Sequence, residues 1–319
     1  MRGWLRLLNG TKKNFQENKY MKQSDILVNF NNKISLIIGS SGFLGSHLIK
    51  KISESGQKYY CSSSNLSLVN KHQNMLYFDV TKPETINNLP QKIDIVYYTA
   101  MSPLYHNFPD NVKDVWDVNV NGLLLVLEYA RNHGVQSFIL ASSGSIYSIS
   151  SDMLTEESPL SIGEGCSFYA SSKIAAEALI NSYSKCFSIC CLRLFFPYGK
   201  GLSDYMLFSR MVYNIQNELP IVLDGEDGFE SNPVYIDDVV NAFIAASGLT
   251  GFHTINIAGL ERISLGNICR IMGNLIGRKP NFVCGNKPWV IVSSIVKMTS
   301  LLCLPRVSIN EGISLFINT

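Results

Sequence analysis

A tyrosine and a lysine stand four residues apart in Tyr169-Ala170-Ser171-Ser172-Lys173. On a helix that spacing puts phenol and ammonium on one face. An ammonium beside a phenol stabilises the phenolate, and the positive ring of a bound nicotinamide would do the same, so the pair could take a proton from a substrate hydroxyl near neutral pH. The spacing alone also describes a solvated helix face. What raises it is the upstream run Leu140-Ala141-Ser142-Ser143-Gly144-Ser145-Ile146-Tyr147, which reads as the end of a strand. An α/β sheet puts its ligand site there, and Ser143 could hydrogen-bond a substrate oxygen as hydride moves. A second run, Gly39-Ser40-Ser41-Gly42-Phe43-Leu44-Gly45, follows an apolar strand-like stretch and opens a helical one. Glycines at that junction allow a tight turn and close approach of a pyrophosphate, and the helix N-terminus offers free N–H groups to the anion.

These residues need a scaffold, and the chain from residue 33 supplies its pattern. Short apolar runs at 34–38, 58–62, 75–78, 93–99, 137–141 and 189–194 alternate with helical segments predicted at 42–55, 112–133 and 168–185. Crossovers of that kind force the strands to lie parallel. The expected fold is α/β: a Rossmann-type doubly wound parallel sheet with a smaller mixed α/β substrate-binding domain. Residues 33–195 form the NAD(P)-binding domain, which also takes in about 232–250. After Leu194 the rhythm is lost at Phe196-Pro197-Tyr198-Gly199-Lys200-Gly201, and 196–319 is mainly substrate-binding, with helix-like stretches near 203–217, 237–247 and 264–276. Residues 1–32 read as a tail, or as sequence upstream of a start at Met21.

The chain has 319 residues, with 27 basic against 25 acidic, a formal charge of +2. That excludes nucleic-acid binding driven by gross charge. Hydrophobic residues make up 46%, enough to bury a full core, which excludes disorder as the main state. Eight cysteines, without a Cys-x-x-Cys pair, fit a reducing cytoplasmic compartment. Histidines 47, 72, 106, 133 and 253 are dispersed and suggest no metal. The apolar stretch 289–304 contains Lys297 and falls short of a membrane span, so a packed C-terminal helix is expected there. Trp116 is expected in the core, as are Cys190 and Cys191 in their apolar strand.

Where an acid would hold the ribose 2′-hydroxyl of NAD, at the end of the second strand, the chain reads Cys61-Ser62-Ser63-Ser64-Asn65. Serines tolerate and hydrogen-bond a 2′-phosphate, yet no arginine is present to pair with it, so the cofactor is NAD or NADP with NADP favoured. Asp79, after the third strand, could face the adenine amino group or cap a turn.

On these motifs the chain resembles the extended short-chain dehydrogenase/reductases, the NAD-dependent sugar-nucleotide epimerase/dehydratase family. The resemblance extends from residue 33 to the C-terminus and includes Asp94-Ile95-Val96-Tyr97-Tyr98-Thr99-Ala100, Asn119-Val120-Asn121-Gly122, Arg193 to Gly199, Val234-Tyr235-Ile236-Asp237-Asp238-Val239 and Ile255-Asn256-Ile257-Ala258. It implies a catalytic triad of Ser143, Tyr169 and Lys173. It implies a cofactor-facing set of Gly39, Ser41, Gly42, Phe43, Leu44, Gly45, Ser63, Ser64, Asp79, Val80, Ala100, Asn119 and Lys173, with Asn119 either ordering the catalytic helix or capping one. A homodimer through the helices at 112–133 and 168–185 is also implied.

The departures are informative. The dehydratases of this family carry an Asp-Glu pair after the catalytic hydroxyl, and here Gly144 and Ser145 stand there, which disfavours elimination. Phe196 replaces an asparagine that contacts the nucleotide diphosphate, and Ser231-Asn232 occupy the region of a diphosphate-binding arginine. Ser145, Phe196 and Arg210 are the candidate substrate contacts, Arg210, Lys200 or Arg262 being able to replace the lost charge. The reading is an NAD(P)-dependent sugar-nucleotide epimerase or keto-sugar reductase. The alternatives are an NADP-dependent reductase or dehydrogenase of a non-nucleotide carbonyl or alcohol, and a non-catalytic NADP-binding protein.

Overall fold

A computed structural model of the chain describes residues 32–150, 152–163, 165–287 and 289–318. The tail expected over 1–32, Asn32 apart, lies outside the described residues. Seven parallel strands form the main sheet in the order β3-β2-β1-β4-β5-β6-β11. They are β1 (Ser35–Ile38), β2 (Tyr59–Ser63), β3 (Met75–Tyr77), β4 (Ile95–Tyr98), β5 (Ser137–Ser143), β6 (Ser188–Leu194) and β11 (Phe252–Ile257). The seventh strand is not among the six apolar runs read from the sequence, and it follows the 232–250 stretch assigned to the same domain.

The strands are apolar on both faces because both faces are covered. Ile37, Tyr97, Ile139, Leu192 and Ile255 point to one side, where Leu48 and Ile52 of helix α1 (Phe43–Glu54) pack. Leu36, Ile38, Val96, Phe138 and Cys191 point to the other, against Leu123, Val126 and Leu127. Strand order reverses between β1 and β4, and at such a switch point the loops after the two strands part and leave a crevice.

Helix α2 is a single turn (Leu66–Val69). The single helix expected over 112–133 is interrupted. Val112–Trp116 (α3) and Gly122–Asn132 (α4) flank a π-helical turn at Asp117–Asn121, which turns Asn119 inward. Hydrophobic period alone does not reveal one extra residue in a turn. Trp116, expected in the core, is 38% exposed and meets Phe168, while its neighbour Val115 is the buried residue of α3. Helix α5 (Phe168–Asn181) is capped by Ser167, whose hydroxyl accepts from the Ala170 amide at 3.1 Å, so Tyr169 falls in its first turn and Lys173 one turn on.

The remaining elements gather beyond β6. Strand β7 (Pro197–Tyr198) pairs in parallel with β10 (Val234–Tyr235), and β8 (Pro220–Leu223) with β13 (Asn281–Cys284). Strand β9 (Glu230–Ser231) lies between β12 (Ile263–Ser264) and β14 (Val290–Ile291). Helices α6 (Leu207–Gln216), α7 (Ile236–Ala246), α8 (Leu265–Ile276), α9 (Val296–Leu301) and α10 (Ile309–Ile317) complete the chain. Phe208, Met211, Ile268 and Met272 of α6 and α8 join the same apolar cluster as one face of the main sheet. Asp238 of α7 accepts from the backbone amides of Arg306 and Val307, both at 3.0 Å, tying the C-terminal segment down. The 289–304 stretch, expected as one packed helix, is instead strand β14 followed by the short α9. Among the described residues no helix is long and apolar enough to cross a membrane.

Candidate active site

A cavity of about 770 Å³ opens at the carboxyl ends of the main-sheet strands, over the switch point. Its floor is the turn after β1. Gly39 sits at φ +82°, and a Cβ there would lie 2.5 Å from the Ala100 nitrogen. At Gly45 a Cβ would lie 2.4 Å from the Gly39 carbonyl oxygen. Only glycine lets the loop after β4 and the first turn of α1 close this tightly on the β1 turn. Gly42 caps α1 without a side-chain bond, so the first amides of the helix face the cavity that Phe43, Leu44 and Gly45 line. Ser62, also lining it, is buried with a hydroxyl that has no hydrogen-bond partner. A cradle that a Cβ would fill, free helix amides and an orphaned hydroxyl fit the phosphates and ribose of a dinucleotide.

Of the expected cofactor-facing residues, Gly39, Ser41, Gly42, Phe43, Leu44, Gly45, Ser63, Ser64, Asp79, Val80, Ala100 and Lys173 all line the cavity. Asp79 also makes the turn cap that was its other reading, since its carboxylate accepts from the Thr81 amide at 3.0 Å and hydroxyl at 2.7 Å. Asn119 does not line the cavity. It is 2% exposed, its amide donates to Ser172 Oγ at 2.9 Å and its carbonyl accepts from the Ser102 amide at 3.2 Å. The π-turn therefore delivers a strut between the β4 loop and α5, which is the ordering role.

Ser143, Tyr169 and Lys173 share the other end of the cavity. The Lys173 ammonium donates to the Ala141 carbonyl at 3.0 Å and lies 5.8 Å from the Tyr169 ring centre. Burial pulls that ammonium down to about 8, against the charge of Glu177, which holds it up. Burial pushes the Tyr169 phenol up to about 12, while Ser143, as a hydrogen-bond partner, pulls it back. Ser143 Oγ accepts from the Ser145 amide at 3.2 Å and meets Ser145 Oγ at 2.9 Å, which shapes the turn after β5. A Cβ on Gly144 would lie 2.7 Å from the Phe195 ring, so the packing excludes a carboxylate where the dehydratase acid would stand.

Under this end lies a buried network that the motif reading missed. Glu177, one turn beyond Lys173 on α5, pairs with Arg193 at 2.7 Å and accepts from Ser142 Oγ at 2.5 Å. Arg193 donates to the Tyr147 hydroxyl at 2.6 Å, and Tyr147 donates to Asn256 Oδ1 at 2.6 Å. The 169, 173, 177 spacing on one helix face was the available signal.

Of the candidate substrate contacts, Ser145 and Phe196 line the cavity. Phe196 stacks on Phe229 at 5.3 Å, and Phe229 on Trp289 at 4.3 Å. Arg210 does not line it; it is exposed on α6, and its charge reaches His106. Arg262 is tied to Glu230, and Asn232 is buried among backbone groups of Gly259 and Ser293.

The chain matches the model of the NAD dependent epimerase/dehydratase family over residues 35–258 and belongs to that family. A UDP-glucose epimerase of Bacillus subtilis (strain 168), itself uncharacterized, is 27% identical over 304 residues, covering 88% of this chain and 95% of that protein. A UDP-glucuronate 4-epimerase of Thermodesulfobacterium geofontis is 27% identical over 318 residues, covering 89% and 94%. A Thermus thermophilus UDP-glucose 4-epimerase solved with NAD shares the fold at a TM-score of 0.76 and 22% identity, over 89% of this chain and 98% of that one.

Proposed function

We propose that this chain epimerises the sugar of a sugar nucleotide by removing a hydride from a ring carbinol and returning it to the other face of the transient keto sugar. The observation that carries the reading is the meeting of Ser143, Tyr169 and Lys173 with the glycine loop in one cavity. A nicotinamide dinucleotide held by Gly39 to Gly45, Ser63, Ser64, Asp79, Val80 and Ala100 would supply the hydride acceptor and donor. Tyr169 takes the proton of the reacting hydroxyl and later returns it. Lys173, protonated at pH 7 with its ammonium at about 8, favours the phenolate. Ser143 hydrogen-bonds the oxygen as it becomes a carbonyl. Elimination of water has no acid at Gly144 or Ser145. Reduction of a keto sugar, with release of the cofactor at each turnover, would use the same residues. The names of the relatives favour epimerisation and a UDP-sugar.

Residues 33–195, with about 232–250, serve the cofactor and 196–319 mainly the substrate. The serines ending β2 offer neutral hydrogen bonds without a carboxylate to repel a 2′-phosphate, so NADP is accepted beside NAD. A homodimer through α3, α4 and α5 is supported by Trp116 and Leu124, which stand 38% and 41% exposed there. Eight free cysteines fit a reducing cytoplasmic setting.

The test is to purify the protein, release and identify any bound dinucleotide, titrate the stripped protein with NADH and NADPH, and incubate it with UDP-glucose. Retained cofactor and appearance of the sugar epimer without net oxidation are expected. Net consumption of reduced cofactor with a keto sugar would make it a reductase, and failure to bind either dinucleotide would overturn the enzyme reading. A second reading, a non-nucleotide carbonyl as substrate, is favoured by the apolar Phe196–Phe229–Trp289 stack. Free UDP competing with turnover would exclude it.

A further inference from the structure

Beside the catalytic tyrosine stands an aromatic wall that no motif announced. The Tyr105 ring lies 4.6 Å from that of Tyr169 and 3.7 Å from His106, and His106 meets Tyr205 edge-on at 5.2 Å. Tyr105 and Tyr205 both line the cavity. They come from the loop after β4 and the loop before α6, so the wall spans the site from one half of the molecule to the other. The half-buried Tyr105 hydroxyl has the Met206 thioether as its partner, at 3.3 Å. A thioether sulfur is a weak acceptor, and burial already pushes the Tyr105 phenol up. The hydroxyl is thus a neutral donor and acceptor in the cavity with most of its hydrogen-bonding capacity unspent.

The charges around it decide what it can receive. Among the described residues lining the cavity, the charged ones are Lys173, Asp79 and Asp114. Lys173 is buried against the Ala141 carbonyl, and Asp114 is held by the Ser102 hydroxyl at 2.5 Å. Arg210 does not line the cavity, and its charge falls on His106. Asp79 stands at the dinucleotide end, so a carboxylate on the sugar would lose its water near the Asp114 carboxylate, with the one lining ammonium already engaged. A sugar hydroxyl in the same place would meet the Tyr105 hydroxyl without that cost.

We propose that Tyr105 is a substrate-contacting specificity residue that selects a neutral sugar ring over a uronic acid. The inference rests on the sugar-nucleotide reading above. The test compares UDP-glucose with UDP-glucuronate, two probes sharing one nucleotide, as substrates of the wild-type protein. UDP-glucose is expected to be preferred at least about tenfold in kcat/KM, the discrimination of one well-placed polar contact. Tyr105→Phe should raise KM for UDP-glucose several-fold with kcat and dinucleotide affinity held. Tyr105→Arg should move the preference toward UDP-glucuronate. Equal use of both probes, or preference for UDP-glucuronate by the wild type, would overturn the inference while leaving the function intact. Rejection of both, with the dinucleotide still bound, would overturn the sugar-nucleotide reading and this inference with it.

Discussion

The two ends of the cavity are built from different materials. The glycine-loop end is made of backbone: a left-handed glycine, a second glycine at a helix–strand contact, and the free amides of α1. The substrate end is made of side chains that converge from the β4 loop, the turn after β5, α5 and the loop before α6. Backbone recognition needs residue types at fixed spacing in one short segment, because the geometry is local. Side-chain recognition needs only that distant segments arrive together, so its residues change without disturbing the fold. In the proposed function the first end therefore serves the dinucleotide, and the second end decides what is done to which sugar.

If the ends are separable in this way, a change at one should leave the other working. The largest effect is expected from Tyr169→Phe, which removes the proton-transferring hydroxyl and keeps the ring on Tyr105. Turnover should fall about 10²- to 10⁴-fold, the usual worth of a general acid–base group. Dinucleotide affinity, read by fluorescence titration, should stay within about twofold. Equal loss of both would erase the distinction.

The converse change is Gly39→Ala. The left-handed backbone costs about 1–2 kcal/mol with a Cβ. That Cβ would also sit 2.5 Å from the Ala100 nitrogen, so the β4 loop must shift. Thermal unfolding should move down by several degrees, and dinucleotide affinity should fall about tenfold or more, because the cradle no longer closes. An unchanged affinity would mean that the backbone at this end is not the binding element.

This contrast also accounts for what could be read without a structure. The parallel sheet, the glycine loop and the Tyr169/Lys173 pair were legible because each is a local pattern whose chemistry depends on spacing. The β11 edge strand was not among the six apolar runs read from the sequence, since it follows α7 in the chain yet joins β6, a pairing between distant segments. Asn119 entered the cofactor set through the family resemblance, with ordering the catalytic helix as one of its two readings; the π-turn that makes it a strut leaves no mark on the apolar period. Arg210 looked like a replacement cation, but it does not line the cavity. Tyr105 escaped notice altogether, being one aromatic in an irregular loop whose importance comes from Tyr169, 64 positions away.

The smallest predicted effect concerns the buried network under the catalytic end. Glu177 couples Ser142 of β5, Arg193 of β6 and, through its charge, Lys173 of α5. Burial pulls the Lys173 ammonium down to about 8, and Glu177 opposes that pull. Glu177→Gln removes the opposing charge and leaves Arg193 buried without its anion, so Lys173 loses its proton at a lower pH. A catalyst that needs the ammonium is active below that value and fades above it. The alkaline limb of the kcat profile should therefore move to lower pH by about one unit, the low end of what a neighbouring charge does. Breaking the pair also costs stability, on the order of 3 kcal/mol, which lowers the unfolding midpoint but does not move a pH limb measured on folded enzyme. Ser142→Ala supplies the contrast, because it loses the 2.5 Å hydrogen bond and keeps the carboxylate. Its alkaline limb should stay where the wild type's is. A shift in both variants would reduce Glu177 to a packing role, whereas a shift in Glu177→Gln alone makes it the positioning residue that keeps Lys173 charged.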